Sequence, residues 1–219
     1  MSTSFLVLVM RIKIDRYKGS KSLDINTPDF KVGVVLGENG TGKTKLLKTI
    51  AKEYEKASYI DCLSLQTPLL ATKDMVEHIK EVADDINDIH VSEDGQTYVA
   101  FTNGEKVPLR ELGHGHRQLI SFMAKYTVEN PDILLIDNPE SLLLSPRKTQ
   151  NFANFIHQRT RLFSMVATQS LDMYFHTINV NPSNTIVIIL GHDDYMIING
   201  EEALDRMDFE DLRQIGELI

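Results

Sequence analysis

Apolar residues along this chain come in short runs separated by turn-forming clusters, and the spacing inside each run predicts its element. Within a strand expected over residues 30–36, Val32 to Leu36 form an apolar run of the kind buried on both faces of a sheet. Residues 43–56 instead place Leu46, Leu47, Ile50, Ala51 and Tyr54 on one face of a helix. Ahead of them, alternation over residues 6–15 and 22–25 predicts two strands, the second ending in the turn cluster Asn26-Thr27-Pro28. Residues 57–65 read as a strand ending at Gln66 and broken by Thr67-Pro68, and residues 73–89 as an acidic amphipathic helix. Three short strands follow, at 89–91, 96–102 and 105–109, punctuated by the hairpin dipeptides Asp94-Gly95 and Asn103-Gly104.

A second glycine-bearing stretch, Leu112 to Gln118, opens a helix that carries Leu119, Ile120, Met123 and Tyr126 inward and stops at Asn130-Pro131. Residues 133–136 form a buried strand closing on Asp137. Ser145 then caps a helix with Pro146 in its first turn, running to about residue 160. A strand over 162–168 ends in Ala167-Thr168-Gln169-Ser170. A hairpin of residues 185–190 and 195–198 precedes an acidic helical tail, 201–219, whose Leu204, Met207, Leu212 and Ile215 pack on their own domain. Strands alternating with helices predict an α/β fold with a mixed sheet and an antiparallel β-rich edge. Residues 1–219 contain no repeat or linker and read as a single domain.

Composition narrows the setting. The chain has 219 residues, 42% of them apolar, enough for a sizeable core. The apolar stretch at residues 5–10 is too short to cross a bilayer and lacks the flanks of a signal peptide, so no membrane association is expected. The single cysteine, Cys62, is expected in the core as a small side chain, consistent with a reducing cytoplasm and no disulfide. The net charge of −8 is uneven, because residues 1–56 hold 11 Lys and Arg against 6 Asp and Glu. That basic N-terminal quarter suits the phosphates of a nucleotide and leaves nucleic-acid contact open.

The chemistry concentrates in Gly37 to Thr44, GENGTGKT, which matches G-x-x-x-x-G-K-[ST] between a strand and a helix. Backbone N–H groups of such a loop wrap a polyphosphate, its lysine neutralises the terminal phosphates and its hydroxyl ligates Mg²⁺. Gly37, Asn39, Gly40, Thr41, Gly42, Lys43 and Thr44 are therefore the candidate contacts to a nucleoside triphosphate. Asp137, at the tip of a strand, has the chemistry and the place of a Mg²⁺ ligand, and Gln66 could reach the same ion. Gly113 and Gly115 open the second helix start that can present N–H groups to an anion.

In this order the motifs resemble the ABC-type ATPase heads, and among them the SMC/RecF/OLD-like branch. The segment from Ile12 to Lys18 looks like the first strand of that branch, LGENGTGKTKLLKTI like its phosphate-loop block and VPLRELGHGHRQLISF like its signature motif. ILLIDNPESLLLSP is similar to its Walker B and D-loop, and ATQS stands where its switch histidine belongs. The resemblance implies a P-loop NTPase fold with a helical subregion, and a head-to-tail dimer with ATP and Mg²⁺ held between the phosphate loop of one subunit and the signature of the other. It makes Gly113, His114, Gly115 and Gln118 the signature contacts, Gln66 the Q-loop residue, and Tyr17 or Lys18 a contact to base or phosphate. Unlike SMC heads, the chain has no coiled-coil insertion between Gln66 and the signature.

Three departures from the family pattern bear on catalysis. Gly113 replaces the signature serine, Asn138 the glutamate after the Walker B aspartate, and Gln169 the switch histidine. An amide cannot take a proton from water, and losing a general base removes about 10²–10⁴ in rate. Slow hydrolysis is therefore expected, with Asn138, Gln169 and Glu140 as the catalytic candidates and His114 as a further substitute. Glu140 could reach the site only if its loop bends. The leading reading is an ATP-dependent switch controlling a separate effector such as a nuclease, in DNA repair or phage defence. The alternatives are a DNA-stimulated repair ATPase and the ATPase subunit of a transporter.

Overall fold

The computed structural model describes residues 9–16, 19–26, 30–65, 72–93, 95–191 and 195–206, the first two segments as backbone only. Two strands, β1 (Val9–Arg16) and β2 (Gly19–Asn26), pair antiparallel in a separate sheet. β3 (Val32–Leu36) then enters the main sheet and leads through the glycine loop into α1 (Lys43–Glu53). β4 (Ala57–Asp61) forms one edge of that sheet. After α2 (Lys73–Val82) come β5 (Ile86–Val91), β6 (Thr97–Phe101) and β7 (Lys106–Pro108), a three-stranded antiparallel meander. α3 (His114–Glu129) leads to β8 (Ile133–Asp137), α4 (Pro146–Arg159) and β9 (Phe163–Ala167). The described chain closes with α5 (Leu171–Val180), β10 (Thr185–Leu190), β11 (Tyr195–Asn199) and α6 (Gly200–Asp205).

The main sheet has the order β11-β10-β3-β9-β8-β4, parallel except for the β10–β11 hairpin. Because side chains alternate across a strand, each central strand feeds two layers. Val35, Leu135, Met165 and Ala167 join Leu46, Leu47 and Ile50 of α1 on one face. Leu134, Ile136 and Val166 face the other way, toward Ile120, Phe122 and Met123 of α3 and Phe152 and Phe155 of α4. Each such side chain contributes roughly 1.5–3 kcal/mol by leaving water. Rigid strands therefore end in one row at the carboxyl edge of the sheet, where ligands of open α/β sheets bind.

The expected α/β fold, mixed sheet, antiparallel edge and helical subregion are all present, with four differences of detail. The helix expected over 73–89 stops at Val82. Ile79, Val82, Ala83 and Ile86 continue a helical period, but Ile86 pairs with Phe101 in the meander and the chain turns at Asp84 and Asp85. The strand expected over 57–65 ends at Asp61, whose carboxylate accepts from the Leu63 N–H at 3.1 Å and turns the chain there. Cys62 is buried as expected, though in that turn rather than in a strand. α5 was not anticipated. Met173, Tyr174, Thr177 and Ile178 form its buried face, and Ser170 caps it by accepting from the Met173 N–H at 3.2 Å. The remainder of the acidic tail, 207–219, the 66–71 segment with Gln66, and Tyr17 and Lys18 lie outside the described residues.

Candidate functional site

The glycine loop is shaped where backbone conformation leaves no alternative. Gly37 has φ +149°, and a Cβ on it would lie 2.3 Å from the Leu190 carbonyl oxygen and 2.7 Å from Thr41 Oγ1. Gly42, at φ +105°, caps α1 with no side-chain hydrogen bond, so the dipole end of the helix is left to an external anion. Lys43 is 8% exposed, and its ammonium donates back to the carbonyls of Gly37 and, at 3.0 Å, Glu38. Burial holds it below the ordinary lysine range, opposed by the nearby carboxylates of Asp137 and Glu140. This cradle of backbone donors with one enclosed cation fits a polyphosphate.

The loop forms one wall of a cleft of about 570 Å³, lined also by Thr44, Lys45, Lys48, Thr49, Asn138 and Gln169. Asp137, 1% exposed at the tip of β8, lies close enough to influence the lysine. A buried carboxylate close to Lys43 and a Thr44 hydroxyl lining the cleft are oxygen groups that suit a hard cation such as Mg²⁺.

Beyond Asp137 the chain bends sharply. Asn138 adopts φ +55°, a left-handed conformation that asparagine tolerates better than most residues, and a 3-10 turn over Pro139–Leu142 follows. That bend is what carries Glu140 to the tip of β9. Its carboxylate accepts from Thr168 Oγ1 at 2.8 Å and from the Gln169 N–H at 3.3 Å. Gln169 in turn donates its side-chain amide to Asn39 Oδ1 at 2.6 Å. Asn39, Lys43, Asn138 and Gln169 thus line one cleft, and Asp137 and Glu140 lie behind it, close enough for their charges to act on Lys43.

The edge strand adds two groups the sequence reading did not single out. Tyr59 donates its hydroxyl to Asp137 Oδ2 at 2.8 Å, and Asn138 Nδ2 lies 3.4 Å from Asp61 Oδ1. Burial and the accepting Asp137 carboxylate push the Tyr59 phenol far above its ordinary range, so it acts as a donor. The signal was available in principle, because Tyr59 and Asp61 share one face of a strand whose register sets Asp61 beside Asp137, but only the sheet order reveals that neighbour.

Gly113, His114, Gly115 and Gln118 gather at the start of α3 and do not line this cleft. Gly115 is needed there for packing, since a Cβ would sit 2.9 Å from the Leu142 carbonyl oxygen. Gln118 Oε1 is buried with no hydrogen-bond partner among the described residues. His116, next to them, contacts Asp85 Oδ2 at 3.2 Å and Lys148 Nζ at 3.0 Å, tying the first turn of α3 to α4 and to the turn before β5.

A family model described as ABC transporter matches residues 20–141. Among solved structures, the SMC head domain from Thermotoga maritima superposes with a TM-score of 0.56 at 8% identity, over 85% of this chain and 95% of that one. The cbiO1 protein of Clostridium perfringens, part of the ABC transporter complex cbiONQ, gives 0.56 at 14% identity, over 95% of this chain and 97% of that one. At these identities the likeness is one of fold. A comparison with curated proteins finds no match. Among the described residues, no helix is long and apolar enough to cross a membrane.

Proposed function

The chain belongs to the ABC transporter family, as an ABC-type ATP-binding domain, and on that premise we propose that it is an ATP-dependent switch of the SMC/RecF/OLD-like branch. In this reading residues 1–219 form one ATPase domain that pairs head-to-tail with a second copy around ATP and Mg²⁺. Lys43 and Thr44 hold phosphate and cation, Asp137 and Gln66 serve the cation, and Gly113, His114, Gly115 and Gln118 meet the nucleotide of the partner. Two half-sites completed by one γ-phosphate make pairing depend on the nucleotide, which is the differential binding a switch requires.

One contrast carries the proposal: a complete phosphate cradle faces a cleft in which the residue after Asp137 is an amide rather than a carboxylate. Asn138 can orient water and cannot deprotonate it. Turnover is therefore slow, the ATP-bound pair is long-lived, and its output passes to a separate effector in the cytoplasm, in DNA repair or phage defence. Light scattering on a sizing column tests the core of this. The mass doubles with ATP and Mg²⁺ and returns with ADP; an unchanged mass at saturating ATP overturns it.

A second reading, the ATPase subunit of a membrane transporter, is favoured by the family description and by Leu63. That side chain is 66% exposed, three residues before Gln66, and the helical region after Gln66 would dock the coupling helix of a membrane partner. Co-purification of a membrane protein, lost on Leu63→Glu, would decide for it. DNA-stimulated turnover is the remaining alternative. It would use the exposed Lys45, Lys48 and Lys52 along α1 and would weaken steeply with salt.

A further inference from the structure

Behind the cleft, the buried Asp137 carboxylate makes one side-chain hydrogen bond that the phosphate-loop motif does not account for. Tyr59 lies on the edge strand β4, two residues before the Asp61 that pairs with Asp137. Its hydroxyl reaches forward along the sheet and donates to Asp137 Oδ2 at 2.8 Å, well within hydrogen-bond range. The tyrosine is itself held at two other points. Its backbone carbonyl accepts from Lys125 Nζ at 2.9 Å, and the Lys48 ammonium sits 5.2 Å from the centre of its ring. Lys48 also lines the nucleotide cleft. These contacts hold the tyrosine beside the carboxylate, and the hydrogen bond from its hydroxyl restricts the rotation of the Asp137 side chain.

We propose that Tyr59 is a positioning residue for Mg²⁺. By engaging Oδ2 it sets the rotation of the Asp137 carboxylate and leaves Oδ1 as the oxygen offered to the cation. Outer groups that orient a metal-binding carboxylate typically change metal affinity by about 10- to 100-fold when removed. The inference rests on the reading of Asp137 as the cation's carboxylate, and it adds a residue whose role is independent of any group on the phosphate loop. Lys48, by pinning the ring from the cleft side, couples the position of the phenol to whatever anion occupies the cleft.

The test measures binding of a fluorescent ATP analogue, first in EDTA and then across a MgCl₂ titration, for the parent protein, Tyr59→Phe, Lys48→Met and Asp137→Ala. Tyr59→Phe keeps the ring and removes only the hydroxyl. It is expected to leave affinity in EDTA within about twofold of the parent while raising the Mg²⁺ concentration at half-effect by about 10-fold or more. Lys48→Met, which also alters the cleft lining, is read against its own affinity in EDTA; on that scale it is expected to raise the midpoint by a smaller factor, and it decides the matter should Tyr59→Phe fold poorly. Asp137→Ala is expected to abolish the Mg²⁺ effect. If Asp137→Ala keeps the parent's Mg²⁺ response, the reading of Asp137 fails. If it loses the response but the Tyr59 and Lys48 variants keep the parent's midpoint, only the role of Tyr59 is overturned. A purely structural role predicts lower melting temperature with no midpoint shift.

Discussion

The side-chain amide of Gln169 donates to Asn39 Oδ1 at 2.6 Å, so that the turn after β9 is fastened to the phosphate loop across the mouth of the cleft. A terminal phosphate entering that space would compete with Asn39 for the same amide, and the exchange would replace a neutral acceptor by an anionic one. Hydrogen bonds to charged groups are worth about 1.5–3 kcal/mol net. Gln169→Leu, which removes the donor, is expected to weaken ATP binding by roughly 10-fold or more while leaving ADP nearly unchanged. Calorimetric titration with each nucleotide checks this. Equal losses for ATP and ADP would mean that the clasp holds the loop and does not read the γ-phosphate.

Lys43 makes its hydrogen bonds to its own loop, to the carbonyls of Gly37 and Glu38. Exchange of those carbonyls for phosphate oxygens strengthens the interaction, because both partners are then charged. Lys43→Ala is expected to cost about 1.5–3 kcal/mol in ATP binding and to suppress nucleotide-dependent pairing in parallel. Binding and sizing experiments on the same preparation test the two together. If pairing survives at ATP concentrations that restore occupancy, the lysine acts on affinity alone.

The phosphate loop was legible because its glycines and its strand–helix setting are local, and Gly37 and Gly42 show the positive φ values that a loop of this kind requires. The place of Asp137 at the tip of β8 was legible because a buried apolar run must end where the sheet ends. What escaped reading was set by non-local pairing. Tyr59 and Asp61 reach Asp137 and Asn138 only because β4 lies beside β8, an adjacency between residues 78 and 77 positions apart. Glu140 was named as a candidate on the condition that its loop bends, and the bend at Asn138 that meets the condition is not signalled by any periodicity. α5 was missed because Leu171-Asp-Met-Tyr-Phe-His-Thr-Ile-Asn-Val is rich in aromatic and β-branched residues, and its helical face emerges only through packing against Val34, Leu36 and Val187.

Asn138 joins two constraints that bear on any attempt to place a carboxylate directly after Asp137. Its backbone sits at φ +55°, where asparagine is favoured over glutamate, and its side-chain amide faces Asp61 Oδ1 at 3.4 Å. Asn138→Glu is expected to raise turnover, to cost roughly 1 kcal/mol of stability from the left-handed backbone, and to place a second carboxylate against Asp61. The double variant Asp61→Asn, Asn138→Glu relieves that repulsion and should therefore turn over faster than Asn138→Glu alone. Steady-state phosphate release with parallel thermal melts measures both effects. If neither variant exceeds the parent, the missing base is not the step that limits hydrolysis.

Asp85 gives the region around Gly113 to Gln118 a dependence on pH whose sign follows from its contacts. Its Oδ2 accepts from Lys148 Nζ at 2.8 Å and lies 3.2 Å from His116 Nε2, which stands two residues into α3. Burial pushes the carboxyl up, but the hydrogen bonds and charges of Lys148 and His116 prevail and hold it below the usual carboxylate range. A depressed value in the folded state means that the stabilisation is complete above the unfolded value, about 3.9, and fades as pH falls through the folded one. Asp85→Asn is therefore expected to melt below the parent at pH 7, with the difference shrinking as the pH is lowered beneath about 4. Melting temperatures followed by circular dichroism from pH 7 to pH 3 give the result directly. A gap that stays constant over that range would show that Asp85 acts through shape and packing, and that its charge does not hold the start of α3 to α4.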